Sequence, residues 1–357
     1  LQTSEPFPLI DVHDLPEDCI VMARALRSLL SGATSIDLSD NGTALRFITV
    51  LSALLKTDIT ISGSERLMSR PNDEARDAAK QLRQYAWRAQ ETYEVNTTAR
   101  TTSQHISALL MAGILLPRGL KIRVEGQVIS RPYIDLTITV LRSQGIAVIE
   151  HENTYLVANG VIDRQDFSSC PADWSSAVYA YEMLLTDVAD ELLIKGLRRD
   201  SGQPDSAVAS IAEQLGIVSE QTAEGVIISK IPSFRSYPQL TLDAALYPDS
   251  IPALAVALAV TGRQYHVINA HVLRGKESDR IEGIRHALQQ LNIQTQYSNG
   301  VLISHNCLPL QPLKQSVTIE TCNDHRIALA FAVLPKNMNI EIDNKDCVKK
   351  SFPNFFR

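Results

Sequence analysis

The sequence predicts an α/β protein of two domains, each assembled from a repeated strand–helix unit, and three observations carry that expectation. Five stretches rich in small and aliphatic residues recur, each opened by a polar or acidic residue: Thr43–Leu55, Ser103–Met111, Ser175–Met183, Asp249–Leu258 and Asp324–Val333. Their starts lie 60, 72, 74 and 75 residues apart. Helices apolar on nearly every side are buried ones, and a steady period marks a repeated structural unit. Amphipathic helices alternate with these buried ones. A polar stretch, Asp163–Pro171, separates the repeats into two groups.

The elements follow in order. The exposed helices are Ile20–Leu30, Ala75–Leu82, Ile134–Leu141, Ala207–Leu215 and Ile281–Leu291, with a sixth beginning at Ser351-Phe352-Pro353. In Ile281–Leu291 the apolar residues Ile281, Ile284, Ala287, Leu288 and Leu291 fall at helical spacing, so one face is buried. Three of the exposed helices run into a pair of short strands with a polar turn, starting at Ile146, Ile217 and Ile293. The last pair turns at Asn299-Gly300, a strong hairpin signal. The unit therefore reads β-α-β-α-β-β. Six exposed helices against five buried ones leave the first repeat incomplete, and the missing buried helix belongs ahead of Leu1. The polar stretch gives a boundary between domains 1–168 and 169–357.

Composition narrows the function. The 357 residues suffice for two domains, and 45% hydrophobic with 21% charged residues is a globular balance rather than a disordered one. A net charge of −6 argues against nucleic acid or an anionic membrane surface as partner. The cysteines (Cys19, Cys170, Cys307, Cys322, Cys347) are odd in number and scattered, with no C-x-x-C. They fit reduced thiols in a cytoplasmic protein better than a disulfide frame or a zinc site. No signal peptide is visible, and no apolar run reaches bilayer length.

The chemistry concentrates at helix starts. Leu273–Arg280 holds Lys276, Glu277 and Arg280 just ahead of an amphipathic helix. Two cations, a carboxylate and free N–H groups there suit an anionic substrate that also exchanges a proton. Taken alone, such a run is more often a solvated charged face. Gly42-Thr43-Ala44-Leu45-Arg46 opens a buried helix with a glycine that lets backbone approach an anion, though an ordinary cap with a surface arginine fits as well. Arg70-Pro71 reads equally as a loop arginine held by proline. Thr102-Ser103-Gln104 and Ser130-Arg131-Pro132-Tyr133-Ile134-Asp135 either cap helices or grip a phosphate. Asp249, heading an aliphatic helix, is an N-cap or a poised base. Asn323-Asp324-His325-Arg326 leaves Arg326 at a helix start, as an anion ligand would be, and offers no set of metal ligands at zinc spacing. Lys349-Lys350-Ser351-Phe352-Pro353 reads as a basic tail. Together these clusters fall at the same end of their helices. Two facing domains would then enclose a cleft of Arg, Lys and helix N-termini suited to phosphate and carboxylate groups.

Those motifs, in that order from about residue 16 to the end, resemble the 5-enolpyruvylshikimate-3-phosphate synthases of the enolpyruvyl transferase family. The resemblance implies two domains of three βαβαββ units each, an inside-out α/β barrel with pseudo-threefold symmetry. It implies transfer of the enolpyruvyl group of phosphoenolpyruvate to the 5-hydroxyl of shikimate 3-phosphate, with release of phosphate and without metal or organic cofactor. Asp249 would take the hydroxyl proton, and Glu277, helped by Lys276, would handle the proton at C3. Gly42, Thr43, Arg70, Gln104, Arg280, Arg326 and Lys350 would hold phosphoenolpyruvate. Thr102, Ser103, Gln104, Ser130, Asp249 and Lys276 would hold shikimate 3-phosphate. A cytoplasmic monomer binding only small molecules, with neither nucleic acid nor membrane as partner, is the implied state. The chain departs from the family in lacking an N-terminal Lys-Ser-x-x-x-Arg and in placing Arg100 where a small residue is expected. Competing expectations are transfer to UDP-N-acetylglucosamine, phospho-ligand binding without turnover, an RNA-processing relative, and a plain repeat scaffold.

Overall fold

The computed structural model describes residues 15–55, 58–85, 93–161, 171–234, 239–305 and 308–356. Helix α1 (Glu17–Leu30) leads into β1 (Ser35–Asp37), α2 (Gly42–Ser52), β2 (Thr60–Ser62), α3 (Glu65–Ser69) and α4 (Asp73–Tyr85). The next repeat is complete: β3 (Tyr93–Ala99), α5 (Gln104–Gly113), β4 (Leu120–Val128), α6 (Arg131–Ser143), β5 (Val148–His151) and β6 (Thr154–Val157). Beyond it come α7 (Trp174–Leu185), β7 (Glu191–Lys195), α8 (Ala207–Glu213), β8 (Ile217–Gln221) and β9 (Gly225–Lys230). A second complete repeat follows, with β10 (Gln239–Asp243), α9 (Ile251–Val260), β11 (Gln264–Ile268), α10 (Arg280–Gln290), β12 (Thr295–Ser298) and β13 (Val301–Ser304). The chain ends with β14 (Val317–Ile319), α11 (His325–Ala332), β15 (Ile340–Ile342) and a 3-10 helix, Lys345–Lys350.

The two complete repeats have the same sheet. Strand order is β3-β4-β6-β5 in one and β10-β11-β13-β12 in the other. In each, the first two strands are parallel and joined through a buried helix, and the last two form an antiparallel hairpin. The parallel pairs β1–β2 and β14–β15 repeat the first half of that plan. At the β12–β13 turn Asn299 and Gly300 both have positive φ, 50° and 77°, the backbone of a type I′ hairpin turn.

The five apolar stretches are the buried helices α2, α5, α7, α9 and α11. All ten residues of α9 are buried, so it has no polar face to present. Leu254 and Leu258 of α9 each gain roughly 1.5–3 kcal/mol from leaving water. One core joins α7 through Val348 with Ile129, and two more gather the residues between Ala25 and Val157. Ile129 packs in the first-named of these cores, and the boundary expected at residues 168 and 169 lies outside the described residues.

Residues 351–356 form turns, with no completed helix among them. One expectation is corrected: Asp249 stands two residues ahead of its helix. Ser250 occupies the cap position and Pro252 the first turn, so α9 begins at Ile251.

Candidate active site

The N-terminal ends of α2, α5, α7, α9 and α11 open on one cavity of about 520 Å³ between the two groups of repeats. Gly42 and Thr43, Gln104, Asp173 and Ser176, Asp249, and His325 and Arg326 reach it from those helix starts. Arg70 and the Lys276–Arg280 segment complete its wall, with Lys350 and Asp18. Unpaired helical N–H groups give every such end a positive potential.

Arg280 organises the carboxylates. Its side chain is 1% exposed. Nη1 donates to Asp249 Oδ1 at 2.8 Å, Nη2 to Glu277 Oε2 at 2.7 Å, and Nε to Asp324 Oδ2 at 2.9 Å. Assigned by resemblance to phosphoenolpyruvate, Arg280 here has its guanidinium turned to protein carboxylates. Asp324, fully buried, both caps α11 through Arg326 N (2.9 Å) and accepts from Ser278 Oγ (3.0 Å). Two consecutive left-handed residues, Cys322 (φ 53°) and Asn323 (φ 55°), turn the chain into that cap. Asn344 Nδ2 donates to Asn323 Oδ1 at 2.7 Å, tying this turn to the 3-10 helix that presents Lys350.

The other cations meet the carboxylates at longer range. Arg70 Nη1 lies 3.5 Å from Glu277 Oε1, and Nη2 donates to Gly275 O at 3.3 Å. Lys350 Nζ donates to Asp40 O at 2.8 Å and lies 3.5 Å from Glu277 Oε1. Lys276 Nζ is 3.7 Å from Asp249 Oδ1. Arg326 Nη1 donates to Ser175 O at 2.7 Å, and Nη2 is 3.9 Å from Asp249 Oδ2. A Cβ at Gly42 would overlap Arg70 Nη1 and sit 2.7 Å from its Cζ, so only glycine lets this arginine lie against α2.

These contacts set protonation. Burial alone would raise the Asp249 carboxyl, but Lys276, Arg280 and Arg326 outweigh it and hold the group well below the ordinary carboxylate range. Glu277 is likewise pushed up by burial and drawn further down by Arg280, Arg70 and Lys350. Burial lowers the Lys276 ammonium from its ordinary value, with Asp249 opposing. His325 falls to about 3 through burial and the Arg326 charge, so its ring is neutral. Asp18, which the sequence did not single out, is raised to about 6 by burial against the pull of Lys350.

The residues expected to hold the second ligand are less gathered. Gln104 lines the cavity and donates through Nε2 to Thr43 Oγ1 at 2.9 Å. Ser103 and Ser130 are buried behind the wall, where Ser103 Oγ donates to Ser130 O at 3.0 Å. Thr102 lines a separate pocket of about 200 Å³ with Arg46, Arg100 and His105. Also outside the sequence reading are Asp40 and Arg66, an ion pair whose arginine donates through Nη1 to Glu277 O at 3.0 Å. Among the described residues no group of His, Cys, Asp and Glu is arranged to hold a metal ion. No described helix is long and apolar enough to cross a membrane.

A mixed α/β protein whose buried helices converge on one cavity lined by arginines, lysines and carboxylates is the class that fold and site define. Residues 10–357 match the family model described as EPSP synthase (3-phosphoshikimate 1-carboxyvinyltransferase), and the chain belongs to that family. It is 28% identical over 365 residues to a 3-phosphoshikimate 1-carboxyvinyltransferase of Bacteroides fragilis, covering 97% of this chain and 87% of that one. A protein of the same name from Archaeoglobus fulgidus is 30% identical over 358 residues, covering 94% and 83%. The solved EPSP synthase of Acinetobacter baumannii shares the fold, with a TM-score of 0.64 at 20% identity over 90% of this chain and 77% of the other.

Proposed function

We propose that this chain transfers the enolpyruvyl group of phosphoenolpyruvate to the 5-hydroxyl of shikimate 3-phosphate and releases phosphate. The observation that carries the reading is the meeting of Asp249, Lys276, Glu277, Arg70, Arg326 and Lys350 on one cavity. Family membership and relatives of that name over nearly the full chain support it. In this reading residues 1–168 and 169–357 are two lobes of pseudo-threefold βαβαββ units, and the protein is a cytoplasmic monomer.

The acceptor oxygen bonds to C2 of phosphoenolpyruvate while its proton passes to Asp249. A proton is added at C3, giving a tetrahedral adduct. Breaking the C2–O bond to phosphate and removing a proton from C3 restores the enol ether. Asp249 is ionised and therefore ready to accept. Glu277 starts ionised too, held so by the same cations an incoming phosphate and carboxylate would attract. Substrate that draws Arg70 and Lys350 to itself weakens their hold on Glu277 and raises its proton affinity at the moment C3 chemistry begins. Lys276, with its lowered pKa, is the adjoining source of the proton. Arg280 holds both carboxylates in place, a positioning role. Gly42, Thr43, Gln104, Arg70, Arg326 and Lys350 grip phosphoenolpyruvate. Thr102, Ser103 and Ser130, assigned to shikimate 3-phosphate by resemblance, lie outside the cavity lining, so their part in binding would need this wall to rearrange.

The test is phosphate release by the purified chain supplied with both substrates. Release that requires both, and one enolpyruvyl ether formed per phosphate, is the expected result. Release driven instead by UDP-N-acetylglucosamine, or none with either acceptor, contradicts the proposal.

A further inference from the structure

Behind the cavity, and outside its lining, Asp205 gathers three hydroxyls from three helices. Asp205 is 2% exposed and sits in the short 3-10 turn Pro204–Ser206. Oδ1 accepts from Ser250 Oγ at 2.5 Å, and Oδ2 accepts from Tyr133 Oη and Ser175 Oγ, each at 2.9 Å. Each donor leads to the site. Ser250 is the cap of α9 and the residue after Asp249. Ser175 stands in the first turn of α7, and its carbonyl accepts from Arg326 Nη1 at 2.7 Å. Tyr133 comes from α6, in the first group of repeats, and so joins the two groups. A buried carboxylate in three hydrogen bonds is a costly feature to keep unless it fixes geometry.

We propose that Asp205 is a positioning residue that sets Asp249 and Arg326 relative to one another, through Ser250 and Ser175, and that Tyr133 completes this setting only when the two groups of repeats are in contact. Asp205 acts without touching substrate, and the inference rests on Asp249 being the base of the proposed reaction. Burial and the nearby Asp249 charge raise the Asp205 carboxyl, while Asp249 itself, despite its own burial, is held low by Lys276, Arg280 and Arg326.

Three variants of the full chain separate the roles, each checked for folding by its thermal transition. Asp205→Asn is expected to lower kcat about 100-fold, as misplacement of a reacting group by about an ångström does, with KM for both substrates changed far less. Ser250→Ala keeps the carboxylate and cuts the link, so kcat should fall about tenfold with KM little changed. Tyr133→Phe should raise KM several-fold with kcat largely retained. Should Asp205→Asn not fold, the contrast between the other two decides. Wild-type kcat and KM in Ser250→Ala and Tyr133→Phe would overturn the proposal while Asp249→Ala, still inactive, leaves the reaction standing. Full turnover in Asp249→Ala would instead remove the reading on which the proposal rests.

Discussion

Asp249 and Glu277 are charged because of their company, not their kind. Arg280 touches both, and cations flank each on the cavity side. Asp249→Ala and Glu277→Ala should each cut phosphate release by about 10²–10⁴-fold, the usual worth of a positioned acid or base, with the melting transition preserved. Near-normal turnover in both, by steady-state assay, would remove the acid–base roles. Gly42→Ala pushes Arg70 away from α2, so KM for phosphoenolpyruvate should rise more than kcat falls. An unchanged KM would show that Arg70 does not meet this substrate. Asp18 gives a pH-dependent effect of stability. Its folded carboxyl titrates near 6 against 3.8 unfolded, so the folded state binds the extra proton between those values. Stability from this group is full below about 3.8 and is lost as pH rises through 6. Asp18→Asn should therefore stabilise the protein at pH 7 and not at pH 4. Its side chain is 40% exposed, which screens the gain to about 1 kcal/mol in urea titrations. An equal change at both pH values would contradict the assignment.

At the scale of elements, the buried helices were legible because their chemistry is local. Ala, Leu, Ile and Val on every side leave no alternative to burial, and the polar residue ahead of each run marks a start within two residues. The hairpin at Asn299-Gly300 was legible for the same reason, since the turn demands positive φ. The five-residue helix α3 was not, being too short to show a period, and neither was the 3-10 helix that presents Lys350. The cations were found through motif spacing. Asp205 and Asp18 were not, as an aspartate in a Pro-Asp-Ser turn or a first helical turn looks the same whether it caps or reaches across the fold. Ser103 and Ser130 show the converse: polar types at the expected spacing that the backbone turns inward. Within α9, Leu258→Ala should cost 2–5 kcal/mol by urea unfolding, because a fully buried leucine in a helix without an exposed face leaves a cavity. A loss under 1 kcal/mol would mean that α9 is not packed on all sides.

Across the whole molecule, contacts between the two groups of repeats lie at the cavity and around it. Arg66 reaches the Glu277 carbonyl, Lys350 reaches the Asp40 carbonyl, and Tyr133 reaches Asp205. The lysine proposed to bind phosphoenolpyruvate thus also links the two groups. Arg66→Ala, outside the cavity lining, should loosen this closure and enlarge the radius of gyration in X-ray scattering without ligand. Adding shikimate 3-phosphate should restore compaction in part. Identical scattering for wild type and variant in both conditions would count against closure through these contacts. The most direct measurement is a crystal structure with phosphoenolpyruvate and shikimate 3-phosphate bound. The phosphate and carboxylate of phosphoenolpyruvate are expected among Arg70, Arg326 and Lys350, with the 5-hydroxyl of the acceptor against Asp249. Substrates bound elsewhere, with those side chains still turned to their protein carboxylates and carbonyls, would contradict it.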